Sequence, residues 1–230
     1  MNAYDKIKVL TFAKGNFVES QKNLLSHLSQ IGVNNLIVKS DSDLPSEFMD
    51  EFSNLFSQKR GYGYWIWKPF IILNELEKLN EDEILIYIDS TDLPEKIFFD
   101  IVLDHFNNKD LLLINRGYNH GEWTKRDCFI LMDCDDNKYY ESVQLEAGII
   151  GLKKTEFNTN LIKEWFEFMK NEKILTDIPN TCGQPNLPNF VDHRHDQSIL
   201  TNLSIKYNLN SFNYPNYVIK YNFNQPRVYG

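Results

Sequence analysis

Cysteine is scarce in this chain: Cys128, Cys134 and Cys182 are the only three, and none sits in a Cys-x-x-Cys pair. An odd count without paired spacing excludes a disulfide framework and a zinc knuckle, and it fits a reducing compartment. Long apolar runs are missing as well. No stretch approaches the roughly 20 apolar residues that span a bilayer. Met1 to Lys6 lead into a β-rich segment without the charged-then-apolar pattern of a signal peptide, so the expected location is cytoplasmic, with no transmembrane segment. Basic residues are outnumbered, 24 Lys and Arg against 32 Asp and Glu, for a formal net charge of -8. That balance lacks the basic face with which nucleic-acid binders neutralise phosphates, so no nucleic-acid partner is expected. A local cationic pocket is still within reach, with Arg60, Lys68, Lys125 and Arg126 as candidates. Repeats and long linkers are absent too, and residues 1–230 are expected to form a single domain. Aromatics are abundant, with 16 Phe, 12 Tyr and 4 Trp, which is material for a sizeable core and sets disorder aside.

The apolar pattern alternates between short β-rich runs and helical spacing. Ile7 to Phe12 is β-rich and closes at Lys14-Gly15-Asn16, a turn. Leu24, Leu25, Leu28 and Ile31 then recur at helical spacing until Gly32. A short strand is expected at 35–39 and helices at 45–56 and 69–79, with Pro69 tolerated in a first turn. Residues 83–88, Glu-Ile-Leu-Ile-Tyr-Ile, form an apolar run bounded by charge, the pattern of a central parallel strand buried on both faces. A helix at 94–106, strands at 111–114 and 147–152, and helices at 157–169 and 196–207 follow. A loop rich in Pro, Asn and Gly spans 176–188, and the tail is aromatic and Asn-rich without periodicity. Strand and helix in alternation predict an α/β fold with a mostly parallel central sheet flanked by helices.

In such sheets ligands bind outside the carboxyl ends of the strands. Two strand ends carry candidates. Thr11, Phe12 and Ala13, followed by Lys14-Gly15, leave room for a base or ribose to approach the backbone, although an ordinary βα loop reads the same way. Asp89-Ser90-Thr91-Asp92 follows the apolar strand directly. Two carboxylates three apart in a turn can converge on a hard divalent cation, which takes oxygen ligands and bridges to phosphates. Asp92 also reads as the N-cap of a helix that opens with Pro94 and Glu95, whereas Asp89 has no such second reading.

Arg60 to Pro69, Arg-Gly-Tyr-Gly-Tyr-Trp-Ile-Trp-Lys-Pro, gathers glycines, aromatics and cations in one stretch. Aromatic faces such as Tyr64 suit stacking on a base or sugar, and Lys68 stands where a helix begins. Trp65 and Trp67 read equally well as core packing. Val191 to Ser198 concentrates ionisable groups ahead of an apolar helix. Asp196 and Gln197 enter a cleft there, or Asp196 merely caps the helix. His193 and His195, two apart, do not share a helix face, which argues against a two-histidine metal site. Glu146 precedes Ala147-Gly148, where small residues give a ligand room, with a surface glutamate as the plain alternative.

Taken in order, these motifs resemble the GT-A fold of nucleotide-sugar glycosyltransferases. The Asp-x-Asp turn, Asn-x-Gly strand and Asp-Gln helix start of glycogenin-like and bacterial galactosyltransferases would fall on Asp89 to Asp92, Glu146 to Gly148, and Asp196-Gln197. The stretches Gly-Tyr-Gly-Tyr-Trp-Ile-Trp-Lys-Pro, Glu-Trp-Thr-Lys-Arg-Asp and His-Arg-His-Asp-Gln-Ser look like small glycosyltransferases of polysaccharide gene clusters and large DNA viruses. The resemblance runs from Val9 to about Leu203. There are departures: the turn is Asp-x-x-Asp, Glu146 replaces the Asn, and no His follows His195 to serve as the late metal ligand of glycogenin-like enzymes.

The resemblance implies transfer of a sugar from a nucleoside-diphosphate sugar, UDP-sugar favoured, to a saccharide hydroxyl. It implies a manganese or magnesium ion oriented by Asp89 and Asp92, and a donor cradle of Thr11, Phe12, Ala13, Arg60, Tyr64, Lys68, Asp89, Ser90, Arg126 and Gln197. Asp196 or Glu146 would act at the reacting carbon, as base if the anomer inverts or as stabiliser of an oxocarbenium-like centre if it is retained. A sugar nucleotidyltransferase and a non-catalytic carbohydrate-binding module are the alternatives.

Overall fold

The computed structural model describes residues 3–213 and 216–220. Eight strands are present among them: β1 (Ile7–Phe12), β2 (Leu36–Lys39), β3 (Ile84–Ile88), β4 (Asp92–Pro94), β5 (Leu111–Asn119), β6 (Val143–Lys153), β7 (Phe212–Asn213) and β8 (Val218–Lys220). Six form one sheet in the order β2-β1-β3-β6-β5-β7, while β4 and β8 pair separately. β1 runs parallel to β2 and β3, β7 runs parallel to β5, and β6 is antiparallel to both neighbours. Five strands therefore point one way and β6 alone runs against them. The expected mostly parallel sheet is present.

Strand alternation divides the core into two layers. Ile84, Ile86 and Ile88 of β3 join Ile7 and Val9 of β1 on one face, under Leu24 and Leu28 of the helix Phe17–Gln30 and Phe98, Phe99 and Val102 of the helix Lys96–His105. Leu85 and Tyr87 join Leu10 and Phe12 on the other face, under Ile71 and Ile72 of the helix Trp67–Leu76, Trp165 and Met169 of the helix Glu156–Met169, and Ile199 and Leu203 of the helix Asp196–Lys206. Every residue of β3 is buried, because helices cover both sides of a period-2 strand.

Four boundaries differ from the sequence reading. The helix expected at 45–56 is broken at Phe52 into Ser46–Glu51 and Ser53–Phe56. Asp92 is not a helix cap. It opens β4, whose partner β8 lies in the tail, and Glu95 is the N-cap of the helix Lys96–His105. The strand expected to start at Ala147 starts at Val143, so Glu146 stands inside β6. β5 continues past Ile114 to Asn119, with register shifts that carry it beyond the regular ladder. The rest of the Asn-rich tail, 214–215 and 221–230, lies outside the described residues.

Candidate active site

Parallel β1, β3 and β5 end on one sheet edge, and antiparallel β6 begins there. This brings the turn after β3 against the middle of β6: the Asp89 N–H donates to the Gly148 carbonyl at 2.7 Å, and the Asp92 N–H donates to the Asp89 carbonyl at 2.9 Å. Ser90 is buried within the turn. Gly148 is the pivot. A Cβ on it would stand 2.9 Å from Asp92 Oδ2, 3.0 Å from Asp89 Oδ2 and 3.0 Å from Glu146 Oε1. Three carboxylates thus crowd over Gly148, an approach that only a residue without a Cβ allows.

Cations hold Asp89, Glu146 and the neighbouring Asp196 in place. Lys68, fully enclosed, donates to Asp196 Oδ2 at 2.8 Å and to the Ala147 carbonyl at 3.1 Å, with Asp89 Oδ1 at 3.5 Å. The Tyr87 hydroxyl donates to Asp89 Oδ1 at 2.7 Å. Arg116 pairs with Glu146 from β5. The indole N–H of Trp165 donates to the Asp196 carbonyl at 3.0 Å, and the Gln197 amide donates to the Leu145 carbonyl at 2.9 Å, which docks the start of that helix on β6. Burial alone would lower the Lys68 pKa, but the neighbouring Asp196 and Asp89 outweigh it and hold the ammonium above its ordinary value. Burial also pushes the Asp196 carboxyl up to about 6, against the pull of Lys68.

A second charged group lies along the same two segments. Arg60 donates to Asp177 Oδ2 at 3.0 Å and Asp192 Oδ2 at 2.6 Å. After it the backbone takes positive φ at five consecutive residues: Gly61, Tyr62, Gly63, Tyr64 and Trp65. The Tyr64 N–H reaches the Arg60 carbonyl and the Trp65 N–H reaches the Gly61 carbonyl, so this is one turn of left-handed helix. Each non-glycine residue there costs on the order of 1–2 kcal/mol. Packing holds the turn: the Trp65 ring lies where a Gly61 Cβ would be, 2.3 Å from its Cε3, and Tyr64 and Trp65 lie 4.9 and 5.6 Å from the His195 ring. His195 itself has φ 48, just before Asp196. Its Nδ1 donates to the Leu175 carbonyl at 2.7 Å, and burial pushes its pKa down to about 3. His193 donates likewise to the Ile174 carbonyl.

The structure brings Lys68, Asp89, Asp92, Glu146, Asp196 and Gln197 to one locus. Arg60 and Tyr64 belong to the adjoining group. Thr11, Phe12 and Ala13 are buried at the end of β1, where Phe12 stacks on Trp67 at 3.9 Å, so Trp67 is a core residue. Arg126 is not drawn into the site. Its guanidinium donates to Asp135 at 2.8 Å and lies 5.5 Å from the Tyr140 ring centroid, a local acid and ring that the sequence reading did not weigh. Lys125 is spent on the carbonyls of Thr176 and Ile178. The residues that sequence reasoning missed are Tyr87, Arg116, Trp165, Asp177 and Asp192. Arg116 carried a signal, being a cation set at the end of the apolar run Leu111 to Ile114.

Asp89, Asp92 and Glu146 are the residues whose oxygens could hold a divalent cation. Among the described residues no three His, Cys, Asp or Glu side chains form a ready-made cage. The acids that crowd over Gly148 nonetheless present hard anionic oxygens, the donors that magnesium and manganese take.

No protein-family model and no curated protein matches the chain. Solved structures do. Mouse xyloside xylosyltransferase 1, in its apo form, is 9% identical over 90% of this chain and 84% of that one, with a TM-score of 0.50. A glycosyltransferase involved in glycosylation of the major capsid of PBCV-1 is 12% identical over 81% and 80%, with a TM-score of 0.41. The glycosyltransferase GlyE of Streptococcus pneumoniae is 12% identical over 91% of this chain and 45% of that one, with a TM-score of 0.45. At these identities the likeness concerns the fold, and of the three the xylosyltransferase carries it. The chain has a GT-A-like α/β fold, and its likeness to the xylosyltransferase is a likeness of fold.

Proposed function

We propose that this chain is a glycosyltransferase that moves a sugar from a nucleoside-diphosphate sugar, most suitably a UDP-sugar, to a hydroxyl of a saccharide acceptor. The observation that carries the reading is the convergence of Asp89, Asp92 and Glu146 on the space over Gly148, backed by buried Lys68. Asp89 and Asp92 are the residues that would hold a magnesium or manganese ion, which when bound supplies positive charge for a leaving diphosphate. Lys68 fixes Asp89 and Asp196 in one geometry. Asp196, enclosed and tied to that lysine, acts through it. Glu146, which meets Asp89 and Asp92 over Gly148, would be the carboxylate that touches the reacting centre. In the transfer the acceptor oxygen bonds to the anomeric carbon while the bond to the diphosphate oxygen breaks. The diphosphate keeps the electron pair, and the hydroxyl proton passes to a carboxylate or to solvent.

Two further features support the reading. Lys14, the basic residue after β1 that a nucleotidyltransferase would turn on phosphates, lies over the Tyr62 ring at 3.7 Å and pairs with Asp41 at 3.0 Å. All three cysteines are free, which suits a reducing cytoplasmic setting. No helix among the described residues is long and apolar enough to cross a membrane. The test is a panel of nucleotide-sugars assayed for hydrolysis with manganese or magnesium. Wild type should release nucleoside diphosphate from at least one donor, and Asp89→Ala should lose about 100-fold or more. Equal turnover in the variant would sink the site assignment.

A further inference from the structure

The strand that leads into the candidate site carries one polar side-chain atom. β3 reads Ile84-Leu85-Ile86-Tyr87-Ile88, and Tyr87 is fully enclosed in the core layer that holds Leu10 and Phe12. A phenylalanine or an isoleucine would fill that layer without bringing a hydroxyl into it, and a buried hydroxyl has to find a partner. The partner is Asp89, two residues on, where period-2 alternation brings it to the same face. The Tyr87 O–H donates to Asp89 Oδ1 at 2.7 Å.

The Asp89 backbone is already tied across the sheet, its N–H donating to the Gly148 carbonyl at 2.7 Å. What remains is rotation about the side-chain bonds, which decides where each carboxylate oxygen points. Two donors act on that rotation at the same oxygen, Oδ1: the Tyr87 hydroxyl at 2.7 Å and the Lys68 ammonium at 3.5 Å. The ammonium lies nearer to Asp196, at 2.8 Å, and to the Ala147 carbonyl, at 3.1 Å. Lys68 therefore lends Asp89 charge, and the short directed bond belongs to Tyr87. Ring and ammonium also brace each other, with Lys68 Nζ 5.3 Å from the Tyr87 ring centroid. With Oδ1 held in this way, Oδ2 lies over Gly148, 3.0 Å from where a Cβ would stand, together with Asp92 Oδ2 and Glu146 Oε1.

We propose that Tyr87 is a positioning residue for the site: by holding Oδ1 it turns Oδ2 of Asp89 toward the Asp92 and Glu146 oxygens, the set that would take a divalent cation. The inference rests on the metal-assisted reading of these carboxylates. A hydrogen-bond partner behind a metal-binding carboxylate acts through that carboxylate, and its loss typically weakens the metal by roughly 10- to 100-fold. Tyr87→Phe removes a single oxygen and leaves the ring in its layer, so it isolates the bond from the packing.

Manganese binding to the full chain, followed by electron paramagnetic resonance with the metal alone and again with UDP added, tests it. Tyr4 supplies the matched control, a buried phenol in the other core layer that donates to Asp100. Wild type and Tyr4→Phe should bind manganese alike, and Tyr87→Phe about tenfold or more weakly. The manganese concentration that half-saturates donor hydrolysis should rise by the same factor in Tyr87→Phe, with turnover at excess manganese close to wild type. Equal manganese affinity in Tyr87→Phe, or an equal loss in Tyr4→Phe, overturns the positioning role and leaves the transferase reading standing. A lower turnover at excess manganese with unchanged metal dependence also overturns it. No manganese binding by wild type in either condition sinks the metal-assisted reading, and the role of Tyr87 with it.

Discussion

Arg60 and Lys68 stand on one short segment, and each holds two aspartates, yet their surroundings are opposite. The Lys68 side chain is 2% exposed and grips Asp196 and Asp89 inside the sheet edge. The Arg60 side chain is 24% exposed and bridges Asp177 and Asp192 at the rim. The partners Asp192 and Asp196 also share a segment, so the two cations fasten the same pair of chain stretches at two depths. The difference lies in what burial does to a charge. At the rim, water screens the pair and either partner can be lost cheaply. In the interior, removing one partner strands the other without solvent. The rim pair therefore closes off the left-handed turn, while the buried pair sets the charge next to the candidate donor site.

Breaking the buried pair should have the largest effect. Lys68→Met leaves Asp196 enclosed without its counter-ion, and urea denaturation should register a loss of about 3–5 kcal/mol. Donor turnover should vanish with it. A loss as small as that of a surface pair would erase the contrast between the two cations. Gly148→Ala comes next. Its methyl would intrude on the Asp89, Asp92 and Glu146 oxygens, so overpacking should cost about 1–3 kcal/mol, with a larger proportional loss of donor turnover than of stability.

The third prediction concerns pH. The folded Asp196 carboxyl titrates at about 6, above its ordinary value of 3.8. It therefore favours the fold at pH below its unfolded pKa, and that contribution is lost as pH rises through about 6. Turnover should move in the opposite sense, falling as pH drops below about 6 and the carboxylate that grips Lys68 takes up a proton. Asp196→Asn should remove that acid limb from the rate profile. The smallest effect belongs to the rim: Arg60→Met should cost only about 1 kcal/mol or less in thermal unfolding.

The layered sheet was legible in the sequence because β3 is an unbroken apolar run bounded by charge, and only a strand covered on both faces reads that way. Asp89 was legible for the same reason, as the first polar residue past that run. Arg116 and Glu146 were not joined, since their meeting depends on the β5–β6 register and the shift beyond Asn115, which no local pattern encodes. Asp92 looked like a cap because the strand that claims it, β8, lies far along an aperiodic tail. The left-handed turn was half visible. Gly61 and Gly63 announced it, but Tyr62, Tyr64 and Trp65 disfavour that backbone on their own, and ring packing against Gly61 and His195 overrides their preference. Arg126 attracted attention as a cation, and its pairing with Asp135 spans the helix Arg126–Leu131 and the turn after it, whose geometry the residues alone do not fix.

The most direct measurement of the central claim is a calorimetric titration of the protein with UDP, with manganese and then with the metal chelated, in wild type and Asp89→Asn. The account predicts that wild type binds UDP far more tightly with manganese than without, and that Asp89→Asn binds weakly in both conditions. UDP affinity that ignores the metal, or that survives intact in Asp89→Asn, would contradict a donor site built on the carboxylates around Gly148.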